Sequence, residues 1–400
     1  MDTCGRPWTW AGALLLGLAM GGCAGDTPPL RVGAVEFSAP VGSMAPHLAV
    51  DGDRALLSWL EPIGEGHHAL RVAVRDASGV WSAPRTVVAN DSLFVNWADV
   101  PSVEPLPDGV WLAHWLQKVA DGPYAYHVMM AISTDEGRSW GPPFRPYGDR
   151  SETEHGFVSL VRWNDGAAAV WLDGRRTTND GPMTLQFTTI TTSGVPAPDI
   201  EVDDRVCDCC QTALAATTNG LVAVYRDRSE EEIRDIVVRR FVDGAWSDAG
   251  KVAEDGWHYP GCPVNGPAMA ARGDTVVVAW FTAAAETPSV YAAFSTDGGV
   301  TFGPRHRVHD GRPAGRVDVG WWGDGALVSW IEETADAGDL RVRLVQADGT
   351  MSARTVVAPT GASRAAGFPR LVVTGNAVVI AWTQTGRGGG VRALTLTDGT

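Results

Sequence analysis

The 400-residue sequence is short of positive charge: 32 lysines and arginines stand against 47 aspartates and glutamates, a formal net charge of −15. That balance argues against nucleic acid as a partner. Long apolar runs are also missing. The longest, Ala11 to Gly22, is too short to span a bilayer as a helix. Cysteine is scarce, with six residues, yet three fall in Arg205-Val-Cys-Asp-Cys-Cys-Gln-Thr212 and a fourth, Cys262, follows in Gly261-Cys-Pro-Val-Asn-Gly-Pro267. Such crowding in a cysteine-poor chain calls for a metal, a disulfide set or a reactive thiol. What abounds is glycine (47), proline (25) and tryptophan (17), as expected of many short strands joined by tight turns.

The N-terminus has the form of an export signal: Arg6 in a short leading region, the uncharged apolar stretch, then Met20-Gly-Gly-Cys23. This tetrapeptide resembles a bacterial lipobox. It implies a signal peptide over 1–23, lipidation of Cys23, a tether over 24–31 and one folded domain over 32–400. The expected location is the periplasm or the cell surface, as an outer-membrane lipoprotein that meets the membrane only through its lipid. An ordinary cleaved secretory signal is the alternative. Either way the folded part sits in an oxidising compartment, where cysteines can pair.

One pattern recurs along the chain: an apolar strand, a turn, then a β-rich strand ending in an aromatic. The aromatics are Trp59, Trp115, Trp171, Tyr225, Trp280, Trp330 and Trp382, spaced 50 to 56 residues apart. Each copy continues into a third strand, such as Leu70 to Arg75, and a short fourth, such as Trp81 to Val88. Four strands per repeat at this period predict an all-β fold, a β-propeller of four-stranded blades. Seven blades are expected, with six as the alternative if one copy is not a blade. The seventh copy stops after its third strand, so Val32 to Pro40 is expected to supply the fourth, closing the ring by pairing the chain ends and removing a sheet edge.

Two turns between third and fourth strands share a sharper signature. Ser133, Asp135, Gly137 and Trp140 match Ser295, Asp297, Gly299 and Phe302 in the pattern S-x-D-x-G-x-x-(W/F). The carboxylate can accept backbone N–H bonds inside the turn, and the glycine supplies a positive φ. These turns resemble the Asp-box, the bacterial neuraminidase repeat of the sialidase superfamily. The resemblance implies a structural role for them and a ligand site on the opposite face.

Counting back 18 residues from Tyr225 and Trp280 reaches Cys207 and Cys262, which therefore hold equivalent places in adjacent blades at the channel mouth. Counting forward two from each aromatic reaches Glu61, Gln117, Asp173, Asp227, Thr282, Glu332 and Gln384, all polar. Asp173, Asp227 and Glu332 are the candidate catalytic carboxylates of a glycoside hydrolase. Arg175, Arg176, Arg226 and Arg316 are candidates for holding an anionic ligand, since guanidinium grips a carboxylate or sulfate with two bonds.

The superfamily resemblance implies three arginines on a sialic acid carboxylate, one within an Arg-Ile-Pro motif. The matching stretch here is Ser43-Met-Ala-Pro-His-Leu48, with Met44 where the arginine would stand, so exo-sialidase chemistry does not carry over at that residue. For Cys207, Cys209, Cys210 and Cys262 three readings stay open: disulfides, a copper or zinc ion with His258 as a further ligand, or a redox thiol. A Cys207–Cys262 bridge would staple adjacent blades. The leading expectation is an exported, sialidase-like propeller that binds or hydrolyses a glycan or other anionic ligand. A metal or redox protein built on the cysteines and a non-catalytic interaction scaffold are the alternatives.

Overall fold

The computed structural model describes residues 30–399 apart from Asp336 and Asn376. The signal segment, Cys23 and most of the tether lie outside those residues. The fold is a ring of seven antiparallel blades: Met44 to Asn90, Ser102 to Phe144, His155 to Asp203, Ala213 to Lys251, Ala268 to Arg307, Pro313 to Thr360 and, last, Arg370 to Thr397. The outer strand of blade 7 is Arg31–Ser38, which pairs antiparallel with Gly390–Thr397 from Arg31 opposite Thr397 to Ser38 opposite Arg392. The ring thus closes through the two chain ends, as the incomplete seventh copy predicts.

Second strands are buried on both faces because each blade is covered by two neighbours. Gly166–Asp173 and Gly220–Arg226 are buried along their whole length. They therefore read as continuous apolar runs instead of alternating ones. The seven recurring aromatics are all enclosed, and each blade–blade interface holds its own apolar cluster. Blade 2 departs from the pattern. Its fourth strand shrinks to one bridge, Met130 with Phe144, because Pro142 and Pro143 lack the N–H groups an edge strand would donate.

The Asp-box turns form two nearly identical hydrogen-bond cages. Ser133 Oγ receives the Gly137 N–H at 2.7 Å and donates to Asp135 at 2.8 Å, and the carboxylate accepts both the N–H and the hydroxyl of Ser139. Ser295, Asp297, Gly299 and Thr301 repeat the arrangement. Gly137, at φ 76°, needs its missing side chain twice, since a Cβ would lie 2.6 Å from the Trp111 ring. Trp140 and Phe302 pack against the clusters beneath their turns.

Candidate functional site at the channel mouth

Each first strand runs from the mouth toward the Asp-box face, and the second returns. The loops leading into the first strands therefore gather at the mouth, together with the ends of the second strands. The polar ring two residues past each aromatic lies here, and its task is visible. Residues i and i+2 of a strand share a face, and a buried indole needs an acceptor. Trp59 donates to Glu61, Trp115 to Gln117, Trp171 to Asp173 at 2.9 Å, Trp330 to Glu332 at 2.7 Å and Trp382 to Gln384. Blade 5 carries Thr282 at this position, and Trp280 turns to Asp255 instead. Asp173 and Glu332, expected as catalytic groups, are enclosed at the blade interfaces and committed to their tryptophans. Asp227 differs: it follows a tyrosine that donates to Asp203, and burial pushes its own carboxyl up to about 6.

The expected ligand arginines are likewise engaged. Arg175 forks onto Asp173 at 2.8 and 2.7 Å and reaches Asp199, while Arg176 pairs with Glu201. Arg226 is fully enclosed. It donates to the carbonyls of Asn265, Arg234 and Phe281, lies over Trp257 at 4.8 Å, and is pushed down to about 9 by burial. Arg316 donates to the carbonyls of Ser363 and Ala362. These guanidinium groups fasten loops to one another.

What sits at the centre of the mouth is the loop from blade 1 to blade 2. Asn96 accepts the Ala98 and Asp99 N–H groups, curling the chain so that Trp97 reaches across the ring. Its indole is half-buried between Arg316 and Arg364, whose guanidinium carbons lie 5.4 and 5.8 Å from the ring, and it stacks on Phe368 of blade 7. The Ala98 carbonyl accepts from Gln211 of blade 4.

Two residues on, Asp99 turns inward. Its Oδ1 accepts the Phe157 N–H at 2.7 Å, and its Oδ2 lies 3.2 Å from the Tyr126 hydroxyl, which in turn lies 2.6 Å from Glu154. A phenol has one hydrogen and cannot serve both carboxyls. The shorter contact takes it to Glu154, so Asp99 must supply its own proton to the phenol oxygen. The energetics agree. Burial pushes Asp99 up to about 8, against the opposing Phe157 bond and with the Glu154 charge adding to it. Burial pushes Glu154 up to about 7, with the Tyr126 bond opposing and Asp208 reinforcing. Tyr126 is enclosed under Phe94, stacked at 4.0 Å, whereas Glu154 is half-buried.

Nothing in the sequence spacing joins Asp99 and Glu154 to Tyr126. Trp97 and Arg364 are not among the expected site residues either, although the same count of 18 back from Trp115 and Trp382 lands on them.

The cysteines adjoin this centre. Cys207 pairs with Cys210, and Cys209 with Cys262, with Cα separations of 5.8 and 6.0 Å. The expected Cys207–Cys262 staple is thus replaced by a different one between the same blades. A turn at Asp208-Cys209 folds Cys210 back onto Cys207 and leaves Cys209, half-buried, to meet blade 5. His258 is exposed, its backbone bridged to Ile233, and is not part of the sulfur cluster. Below the mouth, the first strands of six blades and the loop carrying Ala98 and Val100 line a cavity of about 150 Å³ whose charged groups are Asp318 and Arg370, with His47 beside them. Burial, then Arg370 and His114, hold His47 well below its ordinary value.

No family model matches the sequence, and no curated protein matches it. Solved structures do match in fold. An ulvan lyase of a polysaccharide lyase family, bound to -[GlcA(1-4)Rha3S]-, aligns over 94% of this chain and 96% of its own at 10% identity, with a TM-score of 0.57. A Penicillium chrysogenum alpha-L-arabinanase complexed with arabinobiose aligns over 92% and 99% at 14% identity, with a TM-score of 0.50. A Dyadobacter fermentans protein of unknown function aligns over 93% and 100% at 14% identity, with a TM-score of 0.51. At such identities the likeness is one of fold.

Proposed function

We propose that this propeller binds an acidic glycan at the channel mouth and cleaves it by general acid–base catalysis from Glu154. The observation that carries the reading is the Asp99–Tyr126–Glu154 chain. A half-buried carboxyl held near neutrality can both give and take a proton at working pH. Tyr126 and Asp99 act behind Glu154, holding its orientation and exchanging a proton with it. The part of the Trp97 indole that Arg316, Arg364 and Phe368 leave open offers an apolar contact for a sugar, and Arg364, exposed beside it, offers a cation for a uronate or sulfate. The ulvan lyase and the arabinanase, which share the fold, support a saccharide as the ligand class. The paired Asp-box cages favour descent from the sialidase-like superfamily, with Met44 marking a departure from its sialic acid chemistry. Export and lipidation at Cys23 complete the reading and rest on the sequence pattern alone.

The test is a panel of uronate-, sulfate- and sialate-bearing glycans, followed by reducing-end release and by ultraviolet absorbance of unsaturated products. Turnover of at least one substrate, abolished in Glu154→Gln, is expected. Absence of both turnover and calorimetric binding across the panel would sink the reading.

A further inference from the structure

We propose that the four clustered cysteines, once reduced, form a tetrathiolate site for one thiophilic d10 cation, Zn²⁺ or Cu⁺. The sulfur atoms of Cys207, Cys209 and Cys210 lie within 4.8 Å of one another, and Cys262 is joined to Cys209. A tetrahedral ion with sulfur ligands at about 2.3 Å sets neighbouring sulfurs about 3.8 Å apart, inside that limit. An all-sulfur donor set selects soft cations over magnesium or calcium.

The sulfurs are held together by more than their own bonds. Cys207 N–H donates to the Arg226 carbonyl at 3.0 Å. Gln211, next to Cys210, receives the Gly266 N–H at 2.9 Å, and Arg226 donates to the Asn265 carbonyl, which ties down the loop of Cys262. At Gly266 the backbones approach so closely that a Cβ would stand 2.0 Å from the Gln211 carbonyl oxygen. Opening both bridges therefore leaves three thiols mutually close and the fourth, Cys262, beside Cys209 on a loop fixed to the same strands. Cys207 and Cys210 are buried, whereas Cys209 is half-buried and Cys262 exposed, so an ion can reach them from one side.

A chain of alternating charges leads away from the cluster. Asp208, inside the cluster, pairs with Arg228, which pairs with Glu232, which pairs with Arg234. Arg234 is enclosed, yet its Nε and Nη1 have no hydrogen-bond partner among the described residues.

In the loading step each disulfide takes two electrons and two protons from an external dithiol, which itself becomes a disulfide. The cation then displaces the four thiol protons into solvent.

The experiment is anaerobic reduction of the whole chain, removal of reductant, and titration with Co²⁺ as a spectroscopic stand-in, then with Zn²⁺ and Cu⁺. One ion per chain is expected, with sulfur-to-cobalt charge-transfer absorption, and with circular dichroism verifying that the reduced apoprotein stays folded. Cys262→Ser, the exposed ligand, should weaken binding more than about tenfold while preserving the fold. The ratio of affinities decides between zinc and copper. A folded, fully reduced chain that binds none of the three ions overturns the proposal, as does binding that Cys262→Ser leaves unchanged. Neither result bears on glycan turnover, which is read separately.

Discussion

The two ends of the propeller treat carboxyl groups in opposite ways. At the Asp-box end, Asp135 is held down to about 2 by the Ser139 hydroxyl and N–H and by Ser133. At the mouth, Asp99 and Glu154 are pushed up to about 8 and about 7. The difference lies in what surrounds each group. An exposed carboxylate ringed by donors stays ionised and serves as a fixed acceptor that shapes a turn. A carboxyl withdrawn from water beside a phenol and a second acid keeps its proton within reach of exchange. The first kind builds structure, and the second is the kind that proton transfer requires. Asp173, though enclosed and lying at the mouth, also stays ionised, because Arg175 and His155 outweigh its burial.

This contrast can be broken most sharply at Glu154. Glu154→Gln keeps an acceptor for Tyr126 but cannot transfer a proton. Glycan turnover should fall by about 10²- to 10⁴-fold, with stability changed by less than about 1 kcal/mol. Asp135→Asn should leave turnover unchanged. If both variants lose activity alike, the two ends are not distinct. Next in size is Asp173→Ala, which strands a guanidinium and an indole N–H. Urea unfolding should reveal a loss of about 3 kcal/mol, and a neutral result would remove Asp173 from the structural class. Smaller again is Gly137→Ala, which forces an alanine to φ 76° and against the Trp111 ring. A loss of about 1–3 kcal/mol is expected, with glycan turnover untouched.

The same contrast separates what was legible in the sequence from what was not. The Asp boxes are local: the cage bonds of their Ser and Asp all fall within four residues, so spacing alone reveals them. Blade number and ring closure follow from a repeat of aromatics, each filling the same niche. The position of the cysteines followed from the repeat too, but not their pairing, which depends on one turn at Asp208-Cys209. The mouth cluster is non-local. Tyr126 stands 27 residues from Asp99 and 28 from Glu154, and only the blade geometry and a loop that departs from its repeat bring them together. The polar ring after each aromatic misled for a related reason. Polarity at equivalent positions signals a shared need, and here the need was an acceptor for a buried indole.

The smallest effect is the most diagnostic, because the two ends should give pH dependences of opposite sign. For Asp135 the native value of about 2 lies below the unassociated 3.8. Between those values the unfolded chain binds more protons, so the stabilisation is complete above about pH 4 and is lost as pH falls through 2. For Asp99 the native value of about 8 lies above 3.8. From about pH 4 to 8 the native state binds more protons, so stability declines as pH rises and levels off above 8. Asp99→Asn is nearly isosteric. Its Oδ1 can still accept from Phe157, and its amide can still donate to the Tyr126 oxygen. It should therefore lessen the decline between pH 5 and 8 while leaving the acid limb in place, whereas Asp135→Asn should lessen the acid limb, which Asp297 shares, and leave the decline. Urea midpoints of the three proteins across pH 2 to 9 make the measurement. Glu154, Asp227 and Glu104, raised to about 7, about 6 and about 8, leave a residual slope in both variants. A slope between pH 5 and 8 that Asp99→Asn leaves undiminished would show that the proton resides elsewhere, and the shared-proton chain at the mouth would have to be abandoned.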